Sequence, residues 1–192
     1  MPEKLILFCG PSGSGKTSIV HYLLNKFPQL SFSVSATTRA MRPYETNGKD
    51  YYFLSVEEFK KKIKNNEFLE WEEVYTNGFY GTLKSEIKRI SEQEKAVIFD
   101  VDVEGGLNIK KAYTKKLLDV FVKPPGIEEL KKRLIARATE TDESLKARIR
   151  RAEEELGYAE KFSYVIINRI FEDAVLEAES YVKEFLSDKL PV

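Results

Sequence analysis

At 192 residues the chain has room for one well-packed α/β domain with an inserted subdomain, and too few residues for two ordinary domains. Lys plus Arg and Asp plus Glu balance at 31 each, which excludes a global field for nucleic acid or membrane and leaves any anion site to local clustering. One cysteine and one histidine exclude a disulfide framework and a Cys/His-rich zinc site; no apolar run has membrane-spanning length and no signal-peptide pattern is present, so a soluble, cytoplasmic protein is expected.

In chain order, the first element is an apolar run at Leu5–Cys9 that reads as a buried strand, with Cys9 as a small buried hydrophobe at its end. Gly10-Pro11-Ser12-Gly13-Ser14-Gly15-Lys16-Thr17 follows and fits the phosphate-binding loop G-x-x-x-x-G-K-[ST]. Its glycines allow positive φ and let successive N–H groups converge on an anion. Ile19, Val20, Leu23 and Leu24 at helical spacing predict a helix whose positive end points at the same place, with His21 an ordinary helix residue. Strand, loop and helix in that order is the context the motif requires. Lys16 is then placed to reach the β- and γ-phosphates of a nucleoside triphosphate, and the Thr17 hydroxyl to ligate Mg²⁺.

A second strand is expected at 32–35, after which the rhythm breaks. Residues 39–50 are polar and carry Pro43, Asn47 and Gly48, a loop signature. A strand at 51–54, a helix at Val56–Lys64 opened by a Ser55/Glu58 capping box, a run at 67–75, the dipeptide Asn77-Gly78 and a strand at 79–83 predict a small antiparallel insertion over 39–83. Lys60, Lys61, Lys62 and Lys64 read as the solvated face of that helix rather than a nucleic-acid site. Trp71 reads as core.

Three further strands are expected at Ala96–Val101, 117–122 and Tyr164–Ile167. Between and after them run the helical stripes Ile127/Leu130/Leu134/Ile135, Leu145/Ile149/Ala152/Leu156/Ala159 and Val175/Leu176/Ala178/Val182/Leu186. Near-continuous apolar strands alternating with helices predict a parallel sheet with helices on both faces, built from 1–38 and 84–192.

Two clusters narrow the chemistry. Arg39 and Arg42, with Tyr51 following, place two guanidinium forks and a phenol in a loop at the end of a core strand, a set that matches phosphate oxygens. Arg133, Arg137 and Arg148 bracket the polar stretch 138–144, which suits a lid within about 133–150 closing over a polyphosphate. Charge spread over a transferred phosphoryl group needs cations placed there and water kept out.

On these residues the chain resembles the guanylate kinase family over essentially its whole length. The span 37–53 fits the family signature, as do the phosphate loop in its G-P-S-G-x-G-K form, Asn66-Glu67-Phe68-Leu69-Glu70-Trp71, Tyr80-Gly81-Thr82, Asp100-Val101-Asp102 and Thr139-Glu140. The resemblance implies a P-loop NTPase core, a GMP-binding insertion, a helical lid, and transfer of the γ-phosphate of ATP to GMP, with dGMP a second acceptor. It implies Mg²⁺ as cofactor, held by Thr17 and by Asp100, which ends the apolar run before it, and no nucleic-acid, membrane or obligate protein partner. It assigns the GMP phosphate to Arg39, Arg42, Tyr51 and Tyr80, and the guanine to Ser35, Glu70, Asp102 and Thr82. ATP falls to the loop from Gly10 to Thr17 with Ser18, Arg133 and Asn168, and catalysis to Lys16, Arg39, Arg137 and Arg148. Residue alternation alone leaves Glu70, Glu72 and Glu73 as competing candidates. Tyr44 stands where the family usually has glycine, Ala136 and Ala138 flank Arg137 where glycines are more usual, and Arg169 follows Asn168 where aspartate is frequent. Two alternatives are a non-catalytic guanylate-kinase-like binding module, against which the intact Lys16 and Thr17 count, and a P-loop kinase of another small phosphorylated substrate, which would lack the guanine set.

Overall fold

β1 (Leu5–Cys9) is buried along its whole length because it lies at the centre of a five-stranded sheet. Its neighbours are β7 (Ala96–Val101) on one side and β8 (Leu117–Lys123) on the other; β2 (Leu30–Phe32) lies outside β7 and β9 (Tyr164–Ile167) outside β8, and all four pairings are parallel. The computed structural model describes residues 4–113, 116–137 and 142–189, with the side chains of 137 and 142–145 outside that description.

Strand alternation sends successive side chains of β1 to opposite faces. Ile6 and Phe8 pack against Ile19, Val20 and Leu23 of α1 (Lys16–Lys26) and Ala178, Val182 and Phe185 of α7 (Phe171–Leu186). Leu5, Leu7 and Cys9 pack against Ile87 and Ile90 of α3 (Lys84–Ser91) and Val103 and Ile109 of α4 (Val103–Ala112). Each fully buried Leu, Ile or Phe contributes about 1.5–3 kcal/mol. Burial pushes the Cys9 thiol well up, so it stays protonated and unreactive. The helical stripes are narrower than the sequence suggests: Ile135 on α5 (Ile127–Arg137) and Leu176 on α7 are exposed, whereas Phe185 takes the core position.

The second sheet departs from the expectation in four ways. Its order is β4 (Tyr52–Phe53), β3 (Ala36–Thr37), β6 (Gly78–Leu83), β5 (Phe68–Tyr75). The β3–β6 and β5–β6 pairs are antiparallel but β3–β4 is parallel, so the sheet is mixed. The core strand expected at 32–35 stops at Phe32, and Ala36 and Thr37 already belong to the second sheet. The hairpin turns at Thr76-Asn77, with Asn77 carrying the positive φ, because Gly78 is already paired to Tyr75. Phe59 of α2 (Val56–Lys64) stacks on Phe68 and Phe79 and makes the small core of this sheet, while Trp71 is exposed. A register shift between Phe68 and Glu70 puts Trp71 on the side of the hairpin that carries Phe68 and Phe79, opposite Glu70 and Glu72, with its ring 6.2 Å from Phe79 at the margin of this small core.

The two sheets are joined at Glu86, a buried carboxylate on α3. It accepts from the Val34 amide at 3.0 Å, the Tyr52 hydroxyl at 2.8 Å, and Arg89 Nε and Nη2 at 2.8 Å each. The segment entering the small sheet and the helix leaving it are thereby held by one side chain.

Candidate active site

The loop after β1 wraps the N-terminus of α1. Gly10 and Gly15 have φ of 144° and 92°, and each lacks room for a side chain. A Cβ on Gly10 would overlap the Val122 carbonyl oxygen, and one on Gly15 the Asn168 amide. Asn168 is buried and donates Nδ2–H to the Ser14 carbonyl at 2.8 Å, bracing the loop from the end of β9. Pro11, Gly13 and Ser14 are buried and Ser12 is half-buried, whereas Thr17 and Ser18 stand exposed on the first turn of α1. That turn has no acidic residue and no side-chain cap, so its N–H groups remain available to an anion.

Lys16 and Thr17 line a cavity of about 310 Å³ whose other walls come from Ser35, Tyr51, Glu70, Tyr80, Asp100 and Asp102. Three loop ends and one hairpin converge there: the phosphate loop after β1, the β2–β3 connection, β5–β6, and the end of β7. Thr82 backs the wall, donating its hydroxyl to Glu70 Oε1 at 2.7 Å. Burial pushes the Glu70 carboxyl up to about 7, against the pull of that hydroxyl. Asp100 Oδ1 is buried and has no hydrogen-bond partner. Asp102 caps α4, accepting from the Gly105 amide at 2.9 Å.

The expected arginines are arranged less simply. Arg39 forks onto Glu45, Nη1 to Oε2 at 2.9 Å and Nη2 to Oε1 at 2.7 Å, with Tyr51 and Phe53 rings beneath its guanidinium. Glu45 is held down at about 2 by that fork and by the Arg42 amide. Arg42 donates Nη1–H to the exposed Tyr44 hydroxyl at 3.2 Å, so the residue replacing the usual glycine pairs with the loop arginine. Neither arginine lines the cavity that Tyr51 and Tyr80 line. On the opposite side, Arg133 pairs with Glu129 at 2.9 Å and donates to the Asn168 carbonyl at 3.1 Å. Arg148, on α6 (Asp142–Leu156), donates Nη2–H to Ser12 Oγ at 2.9 Å, directly over the phosphate loop. The Arg137 side chain and residues 138–141 fall outside the described residues, as does most of the polar stretch 138–144.

Arg151 escapes the sequence reading, and Glu72 stands there only as an unresolved alternative to Glu70. Arg151, three positions beyond Arg148, contacts Asp102 and Glu72, and Glu72 lies on the cavity face of β5 beside Glu70. Burial and the neighbouring Asp102 carboxylate push Glu72 upward while Arg151 pulls it down. The i, i+3 spacing of Arg148 and Arg151 was the one available signal, since it puts both on one helix face. No group of three or more potential metal-ligating His, Cys, Asp or Glu side chains occurs among the described residues, nor any helix there long and apolar enough to cross a membrane.

Comparison with known proteins gives one consistent result. The guanylate kinase family model matches residues 2–185. A guanylate kinase of Bacteroides fragilis is 51% identical over 183 residues, 95% of this chain and 90% of that protein. One from Salinibacter ruber is 45% identical over 188 residues, covering 97% and 100%. The crystal structure of guanylate kinase from Anaplasma phagocytophilum superposes with a TM-score of 0.77 at 26% identity, over 99% of this chain and 88% of that one.

Proposed function

The chain belongs to the guanylate kinase family, and from that membership we propose that its cleft moves the γ-phosphate of ATP to GMP, giving ADP and GDP. The observation that supports this most directly is one cavity walled by Lys16 and Thr17 of the phosphate loop and by Ser35, Glu70 and Asp102. A donor-phosphate binder and a polar base-reading set share one volume.

On this reading the loop from Gly10 to Thr17, with Ser18, takes the ATP phosphates on backbone and hydroxyl donors, and Arg133 and Asn168 flank the donor side. Lys16 follows the migrating group. Glu70 accepts from guanine N1–H and the 2-amino group together, with Thr82 fixing its rotamer and Ser35 and Asp102 completing the base edge. Tyr51 and Tyr80 offer hydroxyls to the acceptor phosphate, and Arg39 and Arg42 supply charge once the phosphate competes with Glu45 for the fork. A GMP phosphate oxygen forms the new P–O bond as the bond from the γ-phosphorus to the β-bridging oxygen breaks. The acceptor is already anionic, so no general base is required; positioning and cations do the work. Arg148, over the phosphate loop, supplies one such cation, and the resemblance gives Arg137 the same role.

The residues also fit Mg²⁺. Thr17 and Asp100 line the same cavity as Lys16, and the exposed Thr17 hydroxyl and the Asp100 carboxylate, whose buried Oδ1 has no hydrogen-bond partner, form a hard-oxygen set. Thr17 would hold the ion directly and Asp100 its water shell; bound, it neutralises phosphate charge. The division into a core at 1–38 and 84–192 with a lid near 133–150 and a GMP insertion at 39–83 belongs to the same proposal, as does a cytoplasmic location.

The test is a coupled ADP-release assay with each nucleoside monophosphate in turn. GMP and dGMP should be used well and AMP, CMP and UMP poorly, by about 10⁴-fold or more where donors to Glu70 are missing. Equal kcat/KM for AMP and GMP would rule the assignment out.

A further inference from the structure

Arg151 has a part in the site that the roles above leave unassigned. Its guanidinium meets carboxylates from three elements: Asp102 Oδ2 at the start of α4, 2.8 Å; Glu72 Oε1 on β5, 3.5 Å; and Glu155 Oε1 one turn further along α6, 2.8 Å. Glu155 holds the guanidinium from its own helix, leaving Nη2 to reach across to the other two. Asp102 is thus fixed from both sides, Oδ1 by the Gly105 amide and Oδ2 by Arg151. Each oxygen keeps one lone pair, and Asp102 faces the cavity beside Glu70 and Ser35.

The same turn of helix serves the other substrate. Arg148 lies three residues earlier, on the same face, and reaches Ser12 in the phosphate loop. A second cavity of about 240 Å³, lined by Ser12, Lys16, Asp102, Arg148, Arg151 and Glu155, connects the two contacts. Lys16 and Asp102 also line the first cavity, so the two volumes share a wall. One turn of α6 therefore spans from the donor-phosphate loop to the acceptor-base carboxylate.

We propose that Arg151 is a positioning residue: it sets Asp102 for the guanine edge and, through α6, couples filling of the base site to the placing of Arg148 over the phosphate loop. This rests on the acceptor-site reading above. Without Arg151, Asp102 is free to rotate off the base edge. Glu72 then faces it with no intervening cation, and the ion pair that ties α6 to β5 is lost. Among the described residues, the Glu155 carboxylate takes its side-chain hydrogen bond from Arg151.

The experiment compares steady-state kinetics of the native chain with Arg151→Ala, Arg151→Gln and Arg151→Lys, varying GMP, AMP and ATP separately. For Arg151→Ala, KM for GMP should rise about tenfold, the scale of one lost charge-assisted contact at a half-exposed site, and kcat should fall with it. KM for ATP should stay within about twofold, and the GMP-over-AMP ratio of kcat/KM should shrink about tenfold by the same scale. Arg151→Lys, which keeps one charged donor, should recover most of the GMP affinity. Arg151→Gln carries the same test if the alanine variant does not unfold cooperatively. Adding Glu72→Gln to Arg151→Ala should not restore the GMP parameters; restoration would show simple charge relief and overturn the positioning role. Equal losses toward GMP and ATP, or none, overturn it as well. A native chain that does not phosphorylate GMP would instead sink the reading on which it rests, which the unsubstituted protein reveals before any variant is made.

Discussion

Lys16 is the single charge that both the loop geometry and the transfer require, since it projects into the cavity from the first position of α1. Lys16→Ala removes a preorganised cation worth about 2.7–4 kcal/mol of transition-state stabilisation, so kcat should fall at least about 10²-fold while unfolding in urea is little changed. Glu70 gives a pH signature. Only its carboxylate form accepts from two guanine donors, and burial holds its pKa at about 7 in the unliganded site. Below that value kcat/KM for GMP should rise with pH and then level above it, and Glu70→Gln should both lower GMP efficiency and flatten that limb. The stability sign is opposite. The folded protein binds this proton more tightly than the unfolded chain, whose ordinary value is 4.5, so Glu70's contribution is complete below about 4.5 and is lost as pH rises through about 7. Thermal melts of native protein and Glu70→Gln across that window measure it; parallel curves would refute the shifted pKa.

At the scale of elements, the phosphate loop works because backbone approaches backbone where a side chain cannot follow. Gly15→Ala would strain a φ of 92° and push against Asn168, displacing the brace on Ser14. ATP affinity should drop sharply while GMP affinity holds, a split that isothermal titration with each nucleotide resolves. The small sheet has its own anchor at the Ser55/Glu58 capping box of α2, with Glu58 N–H to Ser55 Oγ at 3.1 Å and Ser55 N–H to Glu58 Oε2 at 2.8 Å. Ser55→Ala should cost about 1 kcal/mol of stability by chemical denaturation and leave KM for ATP untouched. The arginine-bearing elements should separate kinetically. Arg39→Ala should chiefly raise KM for GMP, whereas Arg148→Ala, which removes the donor over Ser12, should chiefly lower kcat. One shared kinetic signature would undo the distinction between acceptor and lid arginines.

Across the molecule, the buried Glu86 carboxylate of α3 gathers four hydrogen bonds: from the Val34 amide between the two sheets, from the Tyr52 hydroxyl of the small sheet, and two from Arg89 of its own helix. Glu86→Ala leaves the Val34 amide and Tyr52 hydroxyl without their acceptor, while the half-exposed Arg89 can turn to water. A loss of about 1–3 kcal/mol in urea unfolding is expected. The Val34 amide should exchange with deuterium faster in the variant than core amides of β1 do; unchanged protection there would mean that Glu86 does not hold the junction.

Local pattern was sufficient for the parallel core, the phosphate loop and the α2 capping box. Apolar runs, glycine spacing and a Ser/Glu pair act within a few residues, so they can be read from Leu5–Cys9, Gly10 to Thr17, and Ser55 with Glu58 directly. Tertiary structure decided the rest because those choices depend on what packs across from a residue. Period-two alternation placed Glu70 and Glu72 together on one face of β5, but only the cavity from β6, α4 and the phosphate loop makes Glu70 the buried one. Trp71 is as apolar as any core residue, yet it only edges Phe79 at the margin of the small core and stays exposed. The parallel β3–β4 pair and the early crossing at Ala36 arise from long-range hydrogen bonding that residue types at those positions do not encode. Arg151 shows the same limit: Glu155 is its neighbour one helical turn on, but Glu72 and Asp102 reach its guanidinium only in the folded chain.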